Sequence, residues 1–338
     1  MRIESQKTYR SKRLTCAAAF AAVIVLLLVM FMVSVDQGSI DLSVKQLIRG
    51  LFVEYDDTVA TVYDLRFPRM MISMLVGAAL AVSGVLLQAV LKNPLTDPGI
   101  IGISGGASFT AVIMTALAPQ LFYFLPVAAF LGGLLAFILV YSLSWKGGLS
   151  PLRIILVGVA VSTMFSGLSS AIDAMSGGNQ SSVASIVNGS ITMKTWDDVN
   201  IAVIYLPVFL LLAICSCRIC NLMSLDDKTA RGIGLSVDRW RILISLIAVV
   251  LASVSTAVAG IVSFVGLIVP HIARMLVGSD HKVLIPFSIL LGALLFLTAD
   301  TLGRTIAAPY EISASVIMAV AGGPFFIILL KGKGNYGS

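Results

Sequence analysis

Charged side chains are scarce in this sequence: Lys, Arg, Asp and Glu make up 12% of residues against 58% hydrophobic ones. Soluble domains carry about a quarter charged residues, so a free-standing soluble fold is excluded. Long polar stretches are missing as well, which leaves no room for a separate soluble domain. There are only four cysteines, and three of them fall in "CSCRIC" (Cys215, Cys217, Cys220) with neither histidine nearby in sequence. That falls short of a zinc-ligand pattern. The run reads instead as small apolar residues at a helix end facing a reducing compartment. No G-x-x-x-x-G-K-[ST], H-E-x-x-H or G-x-S-x-G occurs, so the chain carries no P-loop and none of these catalytic signatures. Acids near the centre of apolar runs are lacking too. Asp173 and Asp300 alone come close, both at run ends. Ion-coupled carriers place ionisable groups near the bilayer midplane, which disfavours that class. A path for bare metal ions would need acid or histidine ligands and is disfavoured on the same ground.

Apolar sequence fills the chain, and mean hydropathy is +1.00. Charge-free runs predict membrane helices at 14–35, 70–91, 99–118, 121–145, 154–172, 199–217, 283–299 and 312–330. Residues 14–35 are too long for a signal-peptide core and read as the first span. The apolar tract from 242 to 273 would make a single helix about 48 Å long, against a hydrocarbon layer of about 30 Å. It is therefore two elements, near 242–261 and 264–277, for ten helices in all. The Lys and Arg residues check this count. With ten helices and a cytoplasmic N-terminus, 17 fall inside and 6 outside; with nine the split weakens to 14 against 9. The positive-inside rule prefers ten. The expected layout is a cytoplasmic tail at 1–13, one membrane domain at 14–331 and a cytoplasmic tail at 332–338. The net charge of +6 then belongs to sidedness rather than to nucleic-acid binding.

On this layout Arg66, Arg69 and Arg304 sit on the outer face, where snorkelling into the lipid interface or contact with a partner would both account for them. Small residues at helical spacing (Ser73, Gly77, Ala81, Gly84; Gly132, Gly133; Gly322, Gly323) predict close helix crossings. "LKNPLTDPGIIGIS" (91–104) breaks the chain between two spans, and Pro270 interrupts the short helix in "GLIVPHIAR". The polar cytoplasmic loop 221–241 predicts two short amphipathic helices. Ser224 caps the first, Gly232 and Gly234 end it, and Ser236 caps the second. Such a loop packs on the protein's own spans or on a soluble partner.

"RFPRMMISMLVGAALAVSGVLLQAVLKNPLTDPGIIGISGGA", "GLIVPHIAR" and "ADTLGR…YEI" resemble the permease subunits of ABC importers for iron–siderophore complexes, haem and vitamin B12. The resemblance runs in order over residues 14–331. It implies an all-α integral membrane protein of about ten transmembrane helices with the type II ABC importer permease fold, in a bacterial plasma membrane. It also implies a second permease subunit, identical or related, two ATPase subunits on the cytoplasmic side and an extracytoplasmic binding protein. ATP and Mg²⁺ would be bound by the ATPase, so this chain would hold no cofactor and would not itself be an enzyme. The implied cargo is an iron(III)–siderophore complex, with haem or vitamin B12 as alternatives. By the same resemblance Arg66, Arg69 and Arg304 dock the binding protein, Asn93 and Leu95 form part of a cytoplasmic gate, and Leu225, Ala230 and Gly234 lie in the segment that contacts the ATPase. Two places depart from the family pattern. Pro151 and Leu152 stand where a gate strand carries small hydroxyl residues, and Glu311-Ile312-Ser313-Ala314-Ser315 stands for Glu-Ile-Pro-Val-Gly.

Overall fold

The computed structural model describes residues 2–37, 57–144, 151–175 and 181–332. Lys45, Arg49, Lys146 and Lys333, which entered the charge count, lie outside these residues, as does the tail beyond Gly332. In chain order the helices are α1 (Arg2–Asp36), α2 (Asp57–Leu65), α3 (Phe67–Val90), α4 (Ile103–Leu117), a 3₁₀ turn (Pro119–Phe124), α5 (Leu125–Ser144), α6 (Pro151–Met175), α7 (Ser181–Asn188), α8 (Trp196–Cys215), α9 (Cys217–Met223), α10 (Asp227–Gly232), α11 (Val237–Ala259), α12 (Val265–Val277), α13 (His281–Thr305) and α14 (Ala314–Gly332). No strand occurs among the described residues.

Seven helical stretches are long and apolar enough to cross a membrane, and α4, α12 and α14 add three shorter apolar helices. These are the ten elements expected from the sequence. The 242–273 tract does divide, at Gly260–Phe264. With 13 residues, α12 rises about 20 Å, less than the hydrocarbon thickness. Pro270 lies inside α12 and does not interrupt it. A proline cannot donate to the carbonyl four residues earlier. Here that carbonyl, on Gly266, accepts instead from Gln88 Nε2 at 3.2 Å. The same amide nitrogen donates to Thr96 O at 3.1 Å, which ties the broken 91–102 segment to α12.

The helices sort by burial. The apolar stretch containing α3 is 83% buried and that of α11 78%, against 6% for α1 and 28% for α6. α3 and α11 therefore form the centre, with α13 and α12 on one side of them and α5 with α4 on the other. Glycines set two of the crossings. A Cβ on Gly77 of α3 would run into the backbone carbonyl of Gly292 on α13, and one on Gly106 of α4 would meet that of Gly132 on α5. Without a solvent-driven hydrophobic force between spans, such close approach is what lets van der Waals contact hold them. Gly323 has open space around it and takes no part in a crossing. α7, which the sequence reading did not anticipate, buries Val183 and Ile186 against Ala107 and Ala111 of α4.

Candidate functional site

Two polar clusters lie at opposite ends of α3, whose 24 residues separate them by about 36 Å. At its start, Arg66 forms a one-residue break after α2 and Arg69 lies in the first turn of α3. Both are buried, at 8% and 6% exposure. Arg69 Nε donates to both oxygens of Asp300 at 2.9 and 3.1 Å, and its Nη1 pairs with Glu311 Oε2 at 2.7 Å. Asp300, fully buried on α13, also lies 3.6 Å from Arg304 Nε. Arg304 Nη2 donates to Ser34 Oγ at 2.6 Å and Ser34 O at 3.2 Å, and Arg66 Nη1 donates to Val35 O at 2.6 Å. The last carbonyls of a helix have no partner within it, and cations there are favourable. Arg66 and Arg304 thus complete the C-terminal end of α1, while Arg69 is held by the two carboxylates. The rim arginines expected from the sequence do come together. They do so as a buried intrachain network, whose acceptors on α13 and before α14 the sequence reading had not connected to them.

Glu311 is the exposed member, its side chain 41% accessible. It also accepts from Thr192 Oγ1 at 3.1 Å. Burial pulls its carboxyl up, but the Arg69 guanidinium, with Thr192 and Arg304, more than offsets this and holds it below the usual range. Thr192 is also part of the wall of an open cleft of about 590 Å³ between the ends of α4, α5 and α8, lined among others by Met114, Phe122, Asn188 and Lys194. This cleft is made of residues from three separate stretches, 114–125, 186–198 and Ala257, and no local pattern marks it.

At the other end of α3, the chain turns at Lys92 with φ +49°. Asn93 is buried, and its Oδ1 accepts from Leu95 N at 3.0 Å, a local turn that leaves Leu95 half-buried. Lys92 Nζ donates to Leu225 O at 2.5 Å and Asp227 Oδ1 at 2.6 Å. Arg241 Nη2 donates to the two oxygens of Asp227 at 3.1 and 3.0 Å. The Lys92 hydrogen bond works against burial, and together with Arg241 it holds the Asp227 carboxyl below the usual range.

The 221–241 loop differs from its expected form. Ser224 does not cap the helix that follows it: its hydroxyl donates back to Cys220 O at 3.1 Å and ends α9, and Asp226 begins α10. Ser236 precedes no separate short helix, because the chain there enters the long α11 directly. The cause is the turn Gly234–Val237, closed by bonds from Leu235 N to Ala230 O and from Val237 N to Leu235 O. Of the three expected contact residues, Ala230 is buried, Leu225 is 41% exposed and Gly234 has φ +87° beside open space. Ile233, an apolar position of the loop beside Leu225 and Ala230, is 59% exposed.

Cys217 and Cys220 are buried and Cys215 is exposed. Burial pushes the Cys220 thiol up to about 11, so it stays protonated. No group of three or more His, Cys, Asp or Glu residues suited to a metal occurs among the described residues. His271 packs edge-on against Phe325 at 5.6 Å between ring centres. Neither cluster pairs a nucleophile with a base. Their chemistry is that of charge pairing: one end holds three largely buried guanidinium groups behind the exposed Glu311, the other presents an apolar rim around a charge-anchored short helix.

The model of the FecCD transport family matches residues 26–332. The chain is 41% identical over 311 residues to the "Probable heme-iron transport system permease protein IsdF" of Staphylococcus aureus (strain MSSA476), covering 92% of this chain and 94% of that protein. A solved chain of an ABC transporter described as metal-chelate type, in an inward-facing conformation, superposes with a TM-score of 0.78 at 29% identity, covering 94% of this chain and 99% of that one. PsaBC from Streptococcus pneumoniae, solved with a Fab, shares the fold at a TM-score of 0.57 and 21% identity, covering 85% of this chain and 95% of that one.

Proposed function

We propose, from the premise that this chain belongs to the FecCD transport family, that its cargo as a permease subunit of an ABC importer is an iron chelate handed over by an extracytoplasmic binding protein. The observation that carries the reading is the 41% identity, over 92% of the chain, to a protein described as a probable haem-iron permease. It favours haem as the cargo over the iron(III)–siderophore complex that the family resemblance implied first, with vitamin B12 as a further alternative. The arrangement that fits is a dimer of permease subunits in a bacterial plasma membrane with both termini cytoplasmic. Two ATPase subunits would bind ATP and Mg²⁺ against the 225–234 rim, and the binding protein would meet the Arg66–Arg69–Arg304 end.

In proteoliposomes holding the full complex and its binding protein, vanadate-sensitive uptake of ⁵⁵Fe-labelled haem is expected. Uptake of a ⁵⁵Fe-siderophore with none of haem would return the cargo to the first assignment. Uptake that ignores vanadate and collapses with an uncoupler would overturn the importer reading altogether.

A further inference from the structure

We infer that Asp227, clasped between Lys92 and Arg241, is a positioning residue that transmits displacement of the 225–234 loop to the Asn93–Leu95 turn. One carboxylate joins three elements here. Asp227 opens α10, Arg241 lies on α11, and Lys92 follows directly on α3 and precedes the turn. Lys92 makes a second contact to the loop, from Nζ to the Leu225 carbonyl at 2.5 Å. The path from loop to turn is then one residue long, because Lys92 is followed directly by Asn93, whose Oδ1 holds Leu95 N at 3.0 Å.

Two observations argue that this clasp is more than a stabilising pair. The Lys92 and Asp227 side chains are 33% and 40% accessible, and ion pairs in contact with solvent contribute little to stability. Yet Lys92 occupies the left-handed region, φ +49°, where glycine sits without strain and a lysine does not. The strained backbone is kept at a position whose side chain adds little to folding. What the lysine supplies at this strained position is its ammonium group's reach to the Leu225 carbonyl and to Asp227.

This inference rests on the reading of the 225–234 loop as the ATPase contact, so its test separates the two. In the reconstituted complex, Leu95→Cys carries an environment-sensitive fluorophore, with Cys16 and Cys215, the two cysteines that are not buried, changed to alanine. The fluorescence change on adding ATP and Mg²⁺ is read alongside ATPase copurification and Tm. Lys92→Gly and Arg241→Gln, which open the clasp from its two sides without altering the 225–234 rim, should abolish the fluorescence change while the ATPase still copurifies and hydrolyses ATP. Lys92→Gly, freed of backbone strain, should melt no lower than the parent. An unchanged fluorescence response in both variants overturns the inference, and so does a response lost only together with a fall in Tm for Lys92→Gly. If Ile233→Glu, which alters the exposed rim alone, leaves ATPase copurification intact, the loop reading fails first and the inference falls with it.

Discussion

Asp300 shows how much one buried carboxylate decides. It has no accessible surface and faces Arg69 at 2.9 Å and Arg304 at 3.6 Å. Removing one partner of a buried pair leaves an uncompensated charge, at a cost of about 3–5 kcal/mol. Asp300→Asn should therefore lower the Tm of the detergent-solubilised permease by many degrees. The double change Asp300→Leu with Arg69→Met should recover part of the loss, because it removes that pair's charges together while Arg304 keeps its bonds to Ser34 and the exposed Glu311 its bond from Thr192. A Tm unchanged by Asp300→Asn would mean that the pairing does not hold the fold. The network was only half legible in the sequence. Arg66 and Arg69 are neighbours in a recognisable motif, and the charge count placed Arg304 on the same side. Asp300 and Arg304 stand at the i, i+4 spacing of one helix face, but the acceptors of Arg69 lie 231 and 242 residues from it, and nothing in local spacing encodes a partner that distant. The capping of α1 by Arg66 and Arg304 was hidden for the same reason, since a backbone carbonyl leaves no trace in residue type.

Helix existence, by contrast, was read well, because apolar length is a local property and the hydrocarbon layer sets its scale. The ends were read less well. Pro119 starts a 3₁₀ turn, so α5 begins at Leu125 instead of 121, and the 91–102 turns delay α4 to Ile103. Crossings were legible where small residues recur, but which glycine meets which was not. The α3–α13 crossing supplies a test. Gly77→Leu forces its side chain into the Gly292 backbone and should destabilise by about 1–3 kcal/mol, the range for overpacking in a filled core, or more if the helices separate. Gly323→Ala, with nothing within 4 Å, should be neutral. The check is the yield and Tm of monodisperse protein after solubilisation. Equal behaviour of the two variants would contradict the packing described for α3 and α13.

For the molecule as a whole, the question is whether the arginine end docks a partner or only closes the fold. Arg66, Arg69 and Arg304 are each engaged within the chain, so reversing their charge would damage the structure and docking together and could not tell the two roles apart. Glu311 offers a cleaner handle. Three guanidinium groups against Asp300 and Glu311 leave the cluster with one net positive charge. Because the Glu311 carboxyl lies below its ordinary value of 4.5, it is fully ionised at pH 7, and its stabilising contribution is present above pH 4.5 and lost only as pH falls through the depressed value. Glu311→Gln therefore removes a whole negative charge at neutral pH from an exposed position, without burying an unpaired group. If the cluster attracts an acidic binding protein, the added net charge should tighten docking. Exposed charge contacts are worth about 0.2–1 kcal/mol, or roughly 1.4- to 5-fold in Kd. The gain should shrink with salt, since the screening length falls to about 8 Å at physiological ionic strength. Titrating the purified permease complex with its binding protein at low and at physiological salt reads both effects. A Kd that does not change at low salt would leave the three arginines as an internal clamp around α1 and α13.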